Sequence, residues 1–190
     1  SKANYGTKIF LNGKYAGDHY PCFTPGYFNV KNFLKPGVNE LLVCVGSSTD
    51  AVPDSIPNGL DFEKERYIPG IYDNVELIIS GIPQIVYVQA IPDVVHQQLQ
   101  VQLTVKKFDT VKASTIAFTV KESKSGKIVG VLKKEQKLSD SENLVDAKIP
   151  INNCHLWSPE DPFLYTLEVT TDGDKKQVAF GMREFHFDAL

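Results

Sequence analysis

The sequence predicts an all-β chain, built as a sandwich or barrel of short strands. Three observations predict it. No stretch of helix length carries apolar residues at three-and-four spacing. Period-two alternation recurs along the chain instead. The intervening segments carry turn chemistry at Asn12-Gly13, Lys35-Pro36-Gly37, Ser125-Gly126 and Asp172-Gly173.

The elements follow in chain order. Ile9 and Leu11 lead into the Asn12-Gly13 turn, and Leu41 to Val45 form an apolar run. Such a face (Ile9, Leu11, Leu41, Val43, Val45) is expected to need cover, because monomers rarely leave a large apolar patch bare. Pairing with another copy, a segment swap or an unexpected completion of the sheet would supply it. Leu99, Val101, Leu103 and Val105 alternate with Gln98, Gln100, Gln102 and Thr104, as in a strand with one wet face. Ile116, Phe118 and Val120 repeat the pattern, as do Tyr165, Leu167 and Val169. Val178, Phe180 and Met182 share one parity, whereas Phe185 and Phe187 have the other. Gly181 at the switch predicts a β-bulge.

Ser80-Gly81-Ile82-Pro83 interrupts the pattern between a strand ending at Ile79 and an apolar run from Ile85. The expected units are therefore 1–81 and 82–190. The second has the size of an immunoglobulin-like sandwich but not the cysteine pair of antibody domains. The first contains a long polar stretch from Ser47 to Pro69, and structureless stretches of that length are usually functional or disordered.

Composition bounds the partners. The 190 residues are 42% hydrophobic and 23% charged, enough to bury a core without metals or disulfides. A net charge of -3 gives no basic face for nucleic acid. No apolar run approaches the roughly 20 residues of a membrane-spanning helix, and no signal-peptide pattern opens the chain. Cys22, Cys44 and Cys154 are too few and too irregularly spaced for a zinc site. They are expected to be free thiols, with Cys44 acting as a small hydrophobe in its strand. Cys22–Cys44 is the alternative pairing, so the redox compartment stays open.

Two C-terminal segments carry a family resemblance. They are Leu156-Trp157-Ser158-Pro159-Glu160-Asp161-Pro162-Phe163-Leu164-Tyr165 and Phe180-Gly181-Met182-Arg183-Glu184-Phe185. Together they resemble the end of the immunoglobulin-like sandwich in glycoside hydrolase family 2, the β-galactosidase and β-mannosidase group. The first half is similar to the second half of that family's sugar-binding jelly roll. The shared features are a strand, the Asn12-Gly13 turn, the Gly17-Asp18-His19 segment and the corner Leu34-Lys35-Pro36-Gly37-Val38-Asn39-Glu40-Leu41. Gly70-Ile71-Tyr72 resembles the segment that closes that domain. The chain departs from the pattern in two places. Asp73-Asn74 stands for the family's Arg-Asp, and Tyr20-Pro21-Cys22-Phe23-Thr24-Pro25 for a glycine-rich stretch.

The resemblance implies a partial jelly-roll sandwich over 1–81, followed by an immunoglobulin-like β-sandwich over 82–190. It also implies a parent enzyme that hydrolyses O-glycosidic bonds, exo-acting on a β-linked sugar with retention, and periplasmic or secreted. Glycoside hydrolysis usually needs two carboxyl groups about 5–5.5 Å apart for retention or about 6.5–9.5 Å for inversion. The family carries them on a (β/α)₈ barrel, which takes about 250 residues. This chain has no such stretch, so it is expected to be inactive alone, with no catalytic residue, metal or cofactor of its own. Its partners would be the missing barrel, the parent's carbohydrate substrate, and itself through the incomplete sandwich. Asp61, Glu63 and Glu65 are the candidate substrate-lining residues, because the family's acidic residue ahead of the closing segment can touch substrate or a bound cation. Interleaved with Lys64 and Arg66, they also read as a plain solvated loop.

The other chemistry-bearing residues have plain readings beside the functional ones. His19, His96, His155 and His186 fit no metal-ligand spacing and are expected on the surface, with His96 beginning a strand. Trp157 suits sugar stacking, but a plug at the sandwich edge ahead of the Ser158-Pro159 turn fits better. Arg183 is expected in a salt bridge toward the barrel. Tyr20, Phe23, Tyr27 and Phe28 suit either a carbohydrate platform or core packing. Gly70-Ile71 is a turn, not a dinucleotide fingerprint. Two rival functions remain, an autonomous carbohydrate-binding module and an adhesion or scaffold sandwich pair.

Overall fold

The computed structural model describes residues 2–46, 52–55, 69–107, 112–139 and 142–184. The proposed site residues Asp61, Glu63 and Glu65 lie outside them, as do Phe185, His186 and Phe187. The chain divides into two compact units, Ser1–Ile78 and Ile79–Leu190.

The first unit holds β1 (Ala3–Asn4), β2 (Gly6–Leu11), β3 (Lys14–His19), β4 (Leu41–Gly46) and β5 (Gly70–Ile71), with one short 3-10 turn at Lys31–Phe33. β3, β2 and β4 form an antiparallel sheet in that order, and β1 pairs with β5. The β2–β3 hairpin turns at Asn12-Gly13, where both residues have positive φ, +52° and +76°. That is the conformation Asn and Gly tolerate best, and it matches the twist of the flanking strands. Asn12 then ties the hairpin to the Leu34–Asn39 corner. Its side-chain amide donates to the Phe33 carbonyl and to Asn39 Oδ1, both at 2.8 Å, and its Oδ1 accepts from the Glu40 amide at 3.0 Å. Asn39 closes the corner by donating to the carbonyls of Lys35 and Gly37 and accepting from the Lys35 amide.

The expected bare face is only partly bare. Ile9 and Leu11 are buried, while Leu41 opposite Leu11 is 47% exposed. Cys44 is exposed rather than packed as a small hydrophobe. Its register partner is Lys8, which puts it on the opposite sheet face from Ile9 and Val43. All three cysteines are free thiols.

Among the described residues, the second unit is a two-sheet sandwich of seven strands. They are β6 (Gln84–Asp93), β7 (Gln98–Lys106), β8 (Ala113–Glu122), β9 (Ile128–Lys137), β10 (Glu142–Pro150), β11 (Tyr165–Thr170) and β12 (Lys175–Phe180). One sheet runs β10-β7-β6 and the other β12-β11-β8-β9, every pair antiparallel. This is the layering of an immunoglobulin-like sandwich. The predicted alternation decides the core. Leu99, Val101, Leu103 and Val105 from one sheet join Ile116, Phe118, Val120, Tyr165, Leu167 and Val169 from the other, each at most 2% exposed. Fully burying side chains of this size contributes about 1.5–3 kcal/mol apiece.

The end of β12 differs from the expected bulge. The ladder with β11 stops at Phe180. After Gly181 the chain changes neighbour, and Met182 bridges in parallel to Leu156, with the Trp157 amide donating to the Met182 carbonyl at 2.9 Å. The Trp157 side chain fills the space beside Gly181, where a Cβ would not fit. His96 also differs from expectation. It sits in the turn between β6 and β7 rather than at a strand start.

Candidate functional site

In the first unit, the polar and aromatic side chains gather around β3 and the segment after it. Tyr15 and Tyr20 both donate their phenol hydroxyls to Asp18 Oδ2, at 2.7 and 3.0 Å. These bonds favour the ionised acid, so Asp18 is held below the ordinary carboxylate range, first by Tyr15 and then by Tyr20. Both phenols are pushed up in turn by the same bonds. His19 Nε2 lies 2.8 Å from the Thr24 carbonyl and 3.1 Å from its hydroxyl, which pins the loop that follows. The four aromatic residues of this region divide. Phe28 packs where side chains at Gly17 and Gly26 would otherwise stand, and Tyr20 is half-buried. Phe23 and Tyr27 instead present their rings to solvent, at 84% and 76% exposure. The core-packing reading therefore fails for Phe23 and Tyr27, which lie in an irregular segment whose parity aims no side chain inward.

In the second unit, the segment after β10 is fastened by side chains. His155 Nε2 lies 2.5 Å from Asp161 Oδ2, and its ring stacks on Phe163 with centroids 4.3 Å apart. Its amide donates to the buried Tyr165 hydroxyl at 2.8 Å. Ser158 turns the chain, with its hydroxyl accepting from the Asp161 amide. Trp157 covers Gly181, and the Arg183 guanidinium stands over its ring at 4.6 Å. That placement suits a plug at the sandwich edge and occupies the indole face a sugar would use. On β11, Glu168 receives Lys175 at 2.7 Å, Gln177 at 2.7 Å and Lys121 at 3.4 Å. Lys175 first, then Gln177, pull its carboxyl down to about 2. At the β6–β7 turn, Asp93 accepts from Gln98, Gln100 and both the amide and ring of His96, and lies far below the carboxylate range.

These carboxylates are partnered groups that organise turns and sheet faces. Among the described residues no cluster of three or more His, Cys, Asp or Glu side chains is placed to hold a metal. The Tyr15–Asp18–Tyr20 and His155–Asp161 pairings were not anticipated from the sequence. For the first, the signal was present: on a strand, Asp18 and Tyr20 stand two apart and share a face. The second spans an irregular loop, where spacing carries no such information.

Two stacked antiparallel β layers of this kind form an immunoglobulin-like sandwich, and the comparisons give the family. Residues 84–183 match the model of "Glycosyl hydrolases family 2". The chain belongs to that family. It is 27% identical over 175 residues to a β-galactosidase of Thermoanaerobacter pseudethanolicus, covering 85% of this chain and 22% of that protein. It is 26% identical over 204 residues to a putative β-glucuronidase of Formosa agariphila, covering 97% of this chain and 22% of that protein. Among solved structures, a family 2 member from Bacteroides cellulosilyticus superposes with a TM-score of 0.74 at 16% identity, over 98% of this chain and 26% of that one. The β-glucuronidase of Bacteroides uniformis gives 0.67 at 24% identity, over 98% and 24%. The chain thus spans about a fifth of the length of these curated relatives. At these identities the solved structures establish the fold: a partial jelly-roll sandwich followed by an immunoglobulin-like one.

Proposed function

We propose that this chain is a non-catalytic β-sandwich region of a family 2 glycoside hydrolase whose whole polypeptide cleaves O-glycosidic bonds in carbohydrate breakdown. The carrying observation is the match itself. Relatives named β-galactosidase and β-glucuronidase align with nearly all of this chain, yet it covers only 22% of each. In this reading the catalytic carboxyl pair stands on a (β/α)₈ barrel elsewhere in the parent. The two β units orient that barrel, and Asp61, Glu63 and Glu65 line its substrate pocket.

The test compares the 190-residue chain with its parent on aryl β-galactosides, β-mannosides and β-glucuronides. The chain alone is expected to release no sugar, and the parent to turn over one of the three. In the parent, neutralising Asp61, Glu63 and Glu65 together (each to Asn or Gln) is expected to raise KM at least about tenfold, a loss of roughly 1.4 kcal/mol of substrate binding. Sugar release by the chain alone, abolished by one carboxylate substitution, would overturn the reading.

The exposed rings of Phe23 and Tyr27 favour a second reading, an autonomous carbohydrate-binding module, because such surfaces stack the apolar faces of sugars. Titration of the chain with the same glycosides separates the two. Millimolar or tighter binding that is lost in Phe23→Ala and Tyr27→Ala supports the module.

A further inference from the structure

We propose that Lys134 and Lys176 keep the two open sides of the second unit's sandwich from accepting a strand of another copy of this chain. Among the described residues, both sheets end in strands with a free side: β10 and β6 flank β7, and β9 and β12 flank β8 and β11. β6 and β9 run for ten residues and β10 for nine. Edges of that length offer a row of unpaired backbone groups, a template for a further strand. Apolar side chains also stand exposed on them, Leu144 at 79% on β10 and Val131 at 64% on β9. Lys134 and Lys176 lie on edge strands at inward positions. Lys134 is opposite Ile116 and Lys176 opposite Val169, and both partners are fully buried. Residues directly opposite share a sheet face, so both lysines stand on the core side, in parity with Leu132 and Val178. A charge can stand there only at an edge, where the long stem lies over apolar surface and the ammonium reaches out. Inward-pointing charges on edge strands are one of the ways in which sheets block unwanted pairing.

The contacts say what the two side chains do there. Lys134 Nζ donates to the Asp146 carbonyl of β10 at 3.0 Å, and Lys176 Nζ to the Val86 carbonyl of β6 at 2.9 Å. Each lysine thus crosses from one sheet to the edge strand of the other and occupies a backbone acceptor. On β10 that acceptor is one an added strand would use. The Ile151 amide donates to the Gln97 carbonyl at 2.8 Å, which sets the alternation along the ladder. Ile149, Ala147 and Val145 turn their backbone groups toward β7, and Lys148, Asp146 and Leu144 turn theirs outward. On β6, Val86 is the extra residue of a bulge between Ile85 and Tyr87 and has no register partner on β7. Its neighbours are occupied as well. The Ile85 amide donates to Asp174 Oδ2 at 2.9 Å, and the Pro83 carbonyl accepts from the Thr171 hydroxyl at 2.9 Å. Side chains from one sheet therefore take up the start of the other sheet's free edge.

The inference does not depend on the proposed function, and its test uses no sugar. Sedimentation velocity and amide exchange are measured over a range of concentrations for the 190-residue chain and its variants. Replacing both residues (Lys134→Met with Lys176→Met) keeps the side-chain length and removes the charge. This double variant is expected to self-associate at a concentration at least about tenfold lower than the unsubstituted chain. Its Leu144, Asp146 and Lys148 amides should exchange more slowly as concentration rises. Lys134→Arg with Lys176→Arg keeps charge and reach and should match the unsubstituted chain. Protection of the β7 and β8 amides at low concentration checks that the sandwich is intact. If the methionine variant loses it, Lys134→Gln alone carries the test, with the same concentration-dependent slowing expected on β10. Two results would overturn the proposal: association no stronger than in the unsubstituted chain, or association that protects amides of β2 and β4 in the first unit and none on β10.

Discussion

Gly181 lies so close to Trp157 that a methyl group added to its α-carbon would stand 2.9 Å from Trp157 Cβ and 3.0 Å from Cγ. These are atoms near the root of the indole side chain, so they cannot swing aside as a flexible tip would. Gly181→Ala is therefore expected to displace Trp157 and to cost about 1–3 kcal/mol, the usual range for overpacking. Trp157 is the only tryptophan, which makes its fluorescence a direct reporter. The variant should lower Tm and shift the emission as the ring loses the Arg183 guanidinium. An unchanged emission maximum and Tm would mean that the edge plug has room to spare.

Glu168 makes the second unit sensitive to acid. Its carboxyl is lowered from 4.5 to about 2, mainly by Lys175 and then Gln177. A lowered acid contributes stability that is complete above the unfolded value and is lost as pH falls through the folded one. The window thus runs from about 4.5 down to about 2. Lys175 is 56% exposed, so solvent screens the pair and the contribution is about 0.5–1 kcal/mol. Glu168→Gln should lower Tm at pH 7, and the difference should shrink steadily as pH falls from about 4.5 toward about 2. Raising the salt concentration should narrow the gap at neutral pH.

How far the fold could be read from the residues depended on whether parity chose a face. In β7, polar residues hold every second position from Gln98, so Leu99, Val101, Leu103 and Val105 had one way in, and all four are at most 1% exposed. In β4 every position from Leu41 to Val45 is apolar, so parity chose nothing. Cys44 came out exposed, and Leu42 is 56% exposed. The irregular segment around Phe23 and Tyr27 has no period at all, and exposure there is set by backbone placement. The 156–165 loop was legible as a motif. What holds it, His155 against Asp161 and Phe163, depends on distances that sequence spacing does not encode.

Asn39 is the residue on which the first unit's corner turns, and its chemistry gives the sharpest substitution. Its amide nitrogen donates to the Lys35 carbonyl at 2.8 Å and to the Gly37 carbonyl at 2.9 Å. Its oxygen accepts from Asn12 Nδ2 at 2.8 Å and from the Lys35 amide at 2.9 Å. Asn39→Asp keeps the shape and the acceptor but replaces the donor with an oxygen facing two carbonyls. Only the protonated acid can donate there, so the folded state should raise the pKa of the new carboxyl above its ordinary value near 3.9. A raised acid stabilises below the unfolded pKa and loses that contribution as pH rises through the folded one. The variant should therefore approach the parent chain's Tm near pH 3 and fall behind it at pH 7. The expected deficit at neutral pH is about 0.5–1.5 kcal/mol, the usual net worth of a hydrogen bond, because these carbonyls are open to solvent. Asn39→Ala, which carries no charge, should be destabilised at both pH values. If Asn39→Asp instead matches the parent chain at pH 7, the two carbonyls are satisfied by water and the corner does not depend on the amide.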